Sequence, residues 1–176
     1  STDPGDLFVT RNVGNIVPPH GVNDGETAAV EFAVRVLEVD DIVVCGHSHC
    51  GAMGALAAGR SRAKTPGFKG WLAHADDARA VLRRNPGLGR GLSEADRLSQ
   101  GNVLAQIDHL LTFPSVKAAV AAGRLSLHGW WFDLDRAEVD AFEADAGRFV
   151  PVDEAHAERI KARLPVPPAS PARRRR

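Results

Sequence analysis

Residues 42–53, IVVCGHSHCGAM, decide how this chain is read. Ile42, Val43 and Val44 form a short β-branched run that stops at Gly46, the pattern of a buried strand in a parallel sheet. Gly46 and Gly51 flank His47 and Cys50, where the backbone must turn tightly or approach another group closely. A helix is predicted to start near Gly51. An imidazole and a thiolate three residues apart at the carboxyl end of a strand reach one metal ion together, and this donor pair suits zinc. Open α/β sheets also place their ligands at that end. His47 and Cys50 are therefore the candidate metal ligands. Set against this, two donors alone hold zinc weakly, and a buried Cys is commonly a small hydrophobe.

Upstream, residues 6–10 (DLFVT) predict a short buried parallel strand, and Gly14, Pro18 and Pro19 break the loop that follows. In that loop Asn15 suits an Asx turn, and Arg11 suits pairing with a carboxylate. Asn23 and Glu26 make a capping-box-like start to a helix whose apolar face is Ala29, Phe32, Ala33, Val36 and Leu37. Strand, helix and the strand before His47 then form a right-handed βαβ unit with both strand ends at one cleft. Strand alternation puts Cys45 on the face of His47, which makes it a geometric candidate for a further ligand. The competing reading sets Val43 and Cys45 in one buried row.

Downstream, residues 51–58 predict a helix of small residues, 59–70 a basic exposed loop, and 70–84 an amphipathic helix. Trp71, Leu72, Ala75, Ala78, Val81 and Leu82 form its inner face. A long helix over 93–112 carries Leu98, Val103, Leu104, Ile107 and Leu111 as its core stripe, with His109 at a surface or interface. A short helix over 115–122 ends at Gly123, a C-cap position. Residues 125–132 (LSLHGWWF) alternate as a strand does, with His128 a hydrogen-bonded sheet residue. Residues 138–142 and 148–152 predict an edge strand or hairpin. From Pro165 the composition turns to Pro, Ala, Ser and Arg, so residues 1–164 read as one domain and 165–176 as a disordered tail.

The chain of 176 residues is long enough for one domain with a sizeable core. Apolar residues at 44% and charged ones at 25% place it among soluble globular proteins. Net charge is zero, and the four arginines at 173–176 leave the rest of the chain four units negative, which excludes a broad basic face for nucleic acid. No apolar run approaches a membrane span. With only Cys45 and Cys50 available, no disulfide framework forms, and a reducing, cytoplasmic compartment is expected.

Three motifs in register carry a resemblance: GDLFVTRNVGNIVPP (5–19), VVCGHSHCGAM (43–53) and LHGWWFD (127–133). In order and spacing they resemble the β-class carbonic anhydrases over about residues 5–152. The resemblance implies an α/β fold, a mainly parallel sheet of about four strands flanked by helices. It also implies zinc held by two Cys and one His, with His47 and Cys50 at two of these positions. The fourth coordination position belongs to water, which zinc makes acidic near neutral pH, and the implied reaction is the reversible hydration of CO2 to bicarbonate. Homodimers or higher homo-oligomers are implied as well.

Two departures from the family pattern set further expectations. The family's first zinc ligand lies in a Cys-x-Asp-x-Arg motif upstream of the GDLFV-like segment, and only four residues precede Gly5 here. One thiolate and the Asp–Arg pair are thus expected to be missing and activity impaired, and no catalytic residue is assigned. Phe132 stands where the family has Tyr, which puts bicarbonate regulation in doubt. The alternatives are a non-catalytic domain of the same fold, such as the soluble part of an anion transporter, and a hydrolase of a small sulfur analogue of CO2.

Overall fold

A 17-residue helix, α5 (Glu94–Leu110), is the axis around which the other elements are laid. Ser93 caps it by accepting from the Asp96 amide at 3.1 Å, and Glu94 and Asp96 place negative charge at its positive end. Leu98, Val103, Ala105 and Leu110 are buried as an apolar stripe requires, yet Ser99, Gln100, Asn102 and Gln106 are buried as well. The helix is enclosed on several sides, which a single 3.6-residue stripe does not reveal. Leu111, expected in that stripe, caps the helix and is exposed. The computed structural model describes residues 3, 5–22, 24–154, 157 and 158.

Against α5 lies a four-stranded sheet in the order β1-β2-β3-β4. β1 (Asp41–His47) runs parallel to β2 (Ser126–Asp133) over seven residue pairs. The predicted hairpin then adds β3 (Glu138–Glu143) and β4 (Arg148–Pro151) antiparallel. The fold is α/β, as expected. Helix and sheet approach closely because two of the strand positions facing α5, Gly46 and Gly129, are glycine. A Cβ on Gly46 would lie 2.8 Å from Val103 Cγ2, and one on Gly129 would lie 3.0 Å from Val103 Cγ1. Trp131 fills the next position of β2 and is 2% exposed.

Around this centre lie α1 (Gly25–Arg35), α2 (Gly51–Ala57), α3 (Pro66–Leu72), α4 (Asp77–Arg84) and α6 (Pro114–Ala121). Asp24 caps α1 by accepting from the Thr27 amide; the expected cap, Asn23, lies outside the described residues. The helix predicted over 70–84 is divided, α3 and α4 being joined by a 3-10 turn at Ala73–Ala75. Its inner face is nevertheless the predicted one, with Leu72, Ala75, Ala78 and Val81 buried. The basic loop is shorter than expected because Thr65 caps α3 and Pro66 occupies its first turn, where a missing N–H costs nothing.

The N-terminal expectation is corrected. Residues 7–10 have no strand pairing, Leu7, Phe8 and Val9 are exposed, and the βαβ unit is therefore not formed among the described residues. With no strand there, the stripe on α1 has little to cover. Phe32, Val36 and Leu37 stay exposed, and the ring of Phe32 meets that of Phe8 at 5.9 Å. The residues α1 does bury are Thr27, Ala33 and Val34. The domain's tail, residues 165–176, lies outside the described residues. No helix among the described residues is long and apolar enough to cross a membrane.

Candidate metal centre

β1 ends at His47, Ser48 and His49 turn, and Cys50 opens α2. Burial alternates along the strand, with Val44 and Gly46 inward and Val43, Cys45 and His47 outward. Cys45 does share the face of His47, but the buried row expected for Val43 and Cys45 is on the opposite face. The reason is α5, whose Val103 and Ser99 accept only Gly46 at that height. Surrounding protein atoms push the Cys45 thiol above its ordinary value even though solvent reaches it, which disfavours the thiolate a metal needs.

His47 is held in one tautomer by its neighbour. Its Nδ1 lies 2.8 Å from the Ser48 carbonyl, which only accepts, so Nδ1 carries the proton and Nε2 keeps its lone pair. This tautomer is the one an Nε2 ligand requires, fixed from the far side of the ring. Cys50 is a free thiol, 4% exposed, beside the buried Ala52 and Met53. Among the described residues no group of three or more His, Cys, Asp or Glu side chains is placed to hold a metal ion. The two donors match zinc in kind and fall one protein ligand short of a site in number.

Four hydrogen bonds hold the turn between them. Ser99 Oγ donates to the His47 carbonyl at 2.8 Å. The Ser48 amide donates to the Phe132 carbonyl at 2.9 Å, and Ser48 Oγ accepts from the Leu134 amide at 2.8 Å. The His49 amide donates to Asp96 Oδ1 at 2.7 Å, while His49 itself takes a left-handed φ of 56°. None of these holders follows from the local motif. Asp96 was legible only as the third residue after a capping Ser93, and Ser99 carried no signal because its partner is 52 positions away.

The loop over 12–17 packs against the start of α2. A Cβ on Gly14 would lie 3.1 Å from that of Ala52. Asn102 Nδ2 donates to the Gly14 carbonyl, Gln106 Oε1 accepts from the Val17 amide, and Trp71 Nε1 donates to the Val13 carbonyl. The Asx-type pairing belongs to Asn12, which accepts from the Ile16 amide and donates to the Ile16 carbonyl. Asn15, expected in that role, instead takes a left-handed φ of 45°. His109 is buried rather than at a surface, hydrogen-bonded to the Val17 carbonyl and Asp77. His128 bonds Asp41 at 2.7 Å, as a sheet histidine should.

His49 points away from the pair and meets Asp135 at 2.8 Å on the surface. The Asp135 hydrogen bond and charge hold its imidazole above the usual histidine value. Any stabilisation from this pair is complete below the ordinary histidine pKa and is lost as pH rises through the raised one. Asp135→Asn is expected to bring the His49 midpoint back down, read from its imidazole resonances in an NMR titration. An unchanged midpoint would show that Asp135 is not the cause.

A parallel strand pair that presents an imidazole and a thiol across a tight turn, backed by a buried helix, defines an α/β protein with a candidate two-donor site. The carbonic anhydrase family model matches residues 1–139. The chain is 46% identical to the carbonic anhydrase of Pseudomonas aeruginosa over 86% of its own length and 69% of that protein's. It is 45% identical to carbonic anhydrase 1 of Escherichia coli O157:H7, over 81% of this chain and 65% of the relative. Among solved structures, the β-carbonic anhydrase CcaA superposes with a TM-score of 0.77 at 41% identity, covering 85% of this chain and 74% of that one. A tetrameric β-carbonic anhydrase of Sordaria macrospora gives 0.64 at 33% identity, covering 81% and 71%. The chain belongs to the β class of the carbonic anhydrase family. It spans about two-thirds of the length of the first two of these relatives.

Proposed function

We propose that this chain carries two of the three protein ligands of a zinc centre for the reversible hydration of CO2 to bicarbonate, His47 through Nε2 and Cys50 through Sγ. The observation that supports this most directly is the Nδ1 contact to the Ser48 carbonyl, which leaves Nε2 free at the mouth of the turn. Zinc, when bound, supplies the Lewis acidity that lowers the pKa of water to about 7. The chain's own residues do the positioning. Ser48 sets the tautomer, Ser99 holds the end of β1, and the 12–17 loop walls the start of α2. The third donor, on this reading, comes from outside the described cluster. β1 has β2 on one edge and no strand on its other edge among the described residues, so that edge is where a further strand would bring a donor alongside Cys45 and His47. Without it, weak zinc retention and impaired turnover follow. Assembly into a homo-oligomer is part of the same proposal, supported by the tetrameric relative.

Zinc per chain after exhaustive dialysis, followed by a stopped-flow CO2 assay, tests this. Occupancy well below one is expected, with added zinc bound weakly. His47→Ala and Cys50→Ala should each weaken that residual affinity by at least the roughly 10–100-fold typical of outer-shell losses. Affinity unchanged in either variant would remove that residue from the ligand set. Stoichiometric zinc with full turnover would overturn the impaired reading.

A further inference from the structure

Ser48 and His49, which join β1 to Cys50, are both anchored, and the anchor at His49 differs because it is a buried carboxylate. Asp96 occupies the third position of α5, where a capping box would turn the side chain back on its own helix. Here Oδ2 accepts from Ser93 Oγ at 2.7 Å and Oδ1 reaches across to the His49 amide at 2.7 Å. The carboxylate is 7% exposed, and these hydrogen bonds occupy both its oxygens. His49 takes the left-handed region that residues with a Cβ rarely adopt. An amide bonded to a charged acceptor is the strong form of this contact.

We propose that Asp96 is a positioning residue for the His47–Cys50 pair. It holds His49 in the left-handed turn, so that the chain reverses within two residues and returns Cys50 to the mouth of β1 as a buried thiol. The proposal rests on reading His47 and Cys50 as ligands. A clamp on the backbone between two ligands sets their separation without touching the ion, and it works from α5, the element that also fixes His47 through Ser99.

The test reads the thiol directly and needs no metal. In a Cys45→Ser background, Cys50 is the single thiol, and its alkylation by iodoacetamide reports how often the turn opens. Asp96→Ala is expected to speed alkylation about tenfold or more. Asp96→Asn keeps an acceptor at Oδ1 and should restore most of the protection. Val116→Ala, which opens a cavity in α6 remote from the turn, controls for general loss of stability. Alkylation of Asp96→Ala no faster than that of Val116→Ala would overturn the proposal, as would failure of Asp96→Asn to slow it. Cobalt(II) added to the same proteins separates this from the metal reading. A thiolate-to-cobalt band in the parent that weakens in Asp96→Ala and returns in Asp96→Asn supports both. Loss of thiol protection in Asp96→Ala, rescued by Asn, with no cobalt band in any variant leaves the clamp standing and removes the metal reading.

Discussion

Trp131→Ala is expected to lower the free energy of unfolding by about 3–5 kcal/mol. The side chain is among the largest fully buried ones described, set in the middle of β2 and facing α5. Truncation removes its dispersion contacts and leaves a cavity between helix and sheet that the flanking strands cannot close. A polar loss adds to this. Trp131 Nε1 donates to Ser99 Oγ at 3.1 Å, and the same hydroxyl donates to the His47 carbonyl. Without the indole, Ser99 loses the donor that orients it toward the end of β1. Domains of this kind have about 5–15 kcal/mol in total, so the variant is expected near the edge of folding. Urea unfolding followed by far-UV circular dichroism checks it, and a shift below about 1 kcal/mol would mean the site collapses without a cavity.

Gly46→Ala is expected to destabilise by about 1–3 kcal/mol through overpacking. The added methyl would sit 2.8 Å from Val103 Cγ2 and 3.2 Å from Ser99 Oγ. A glycine in a strand otherwise gains from replacement, because the unfolded chain loses freedom, so the sign here is set by α5 and not by propensity. The methyl also pushes apart the elements whose contact holds His47. Val103→Ala in the same chain removes the clashing group. The double variant should therefore be less destabilised than the sum of the two singles, with a coupling of about 0.5–3 kcal/mol. Additive effects would show that β1 and α5 do not meet as described.

Several elements were legible because their signals are local. The apolar run before Gly46, the alternation of LSLHGWWF and the glycine stop at Gly123 each depend on neighbours within a few positions. β1, β2 and the α6 terminus follow them closely, Gly123 with a left-handed φ of 66°. The strand expected at residues 6–10 (DLFVT) carried a similar β-rich signal and did not form. A strand exists only when a partner edge accepts its hydrogen bonds, and no partner is present among the described residues. The exposed stripe of α1 is the second consequence of that missing edge.

For the candidate centre, the sequence by itself determined the two donors, their three-residue spacing and their place at the end of a strand. These follow from residue type and period alone. The tertiary structure decided the rest. It turned Cys45 outward, because α5 admits no side chain at Gly46, and it set the His47 tautomer through the Ser48 carbonyl. It also brought Asp96 and Ser99 to the turn from about fifty residues downstream. Such contacts depend on how a helix lies against a sheet, and side-chain packing across that distance leaves no periodic trace along the chain.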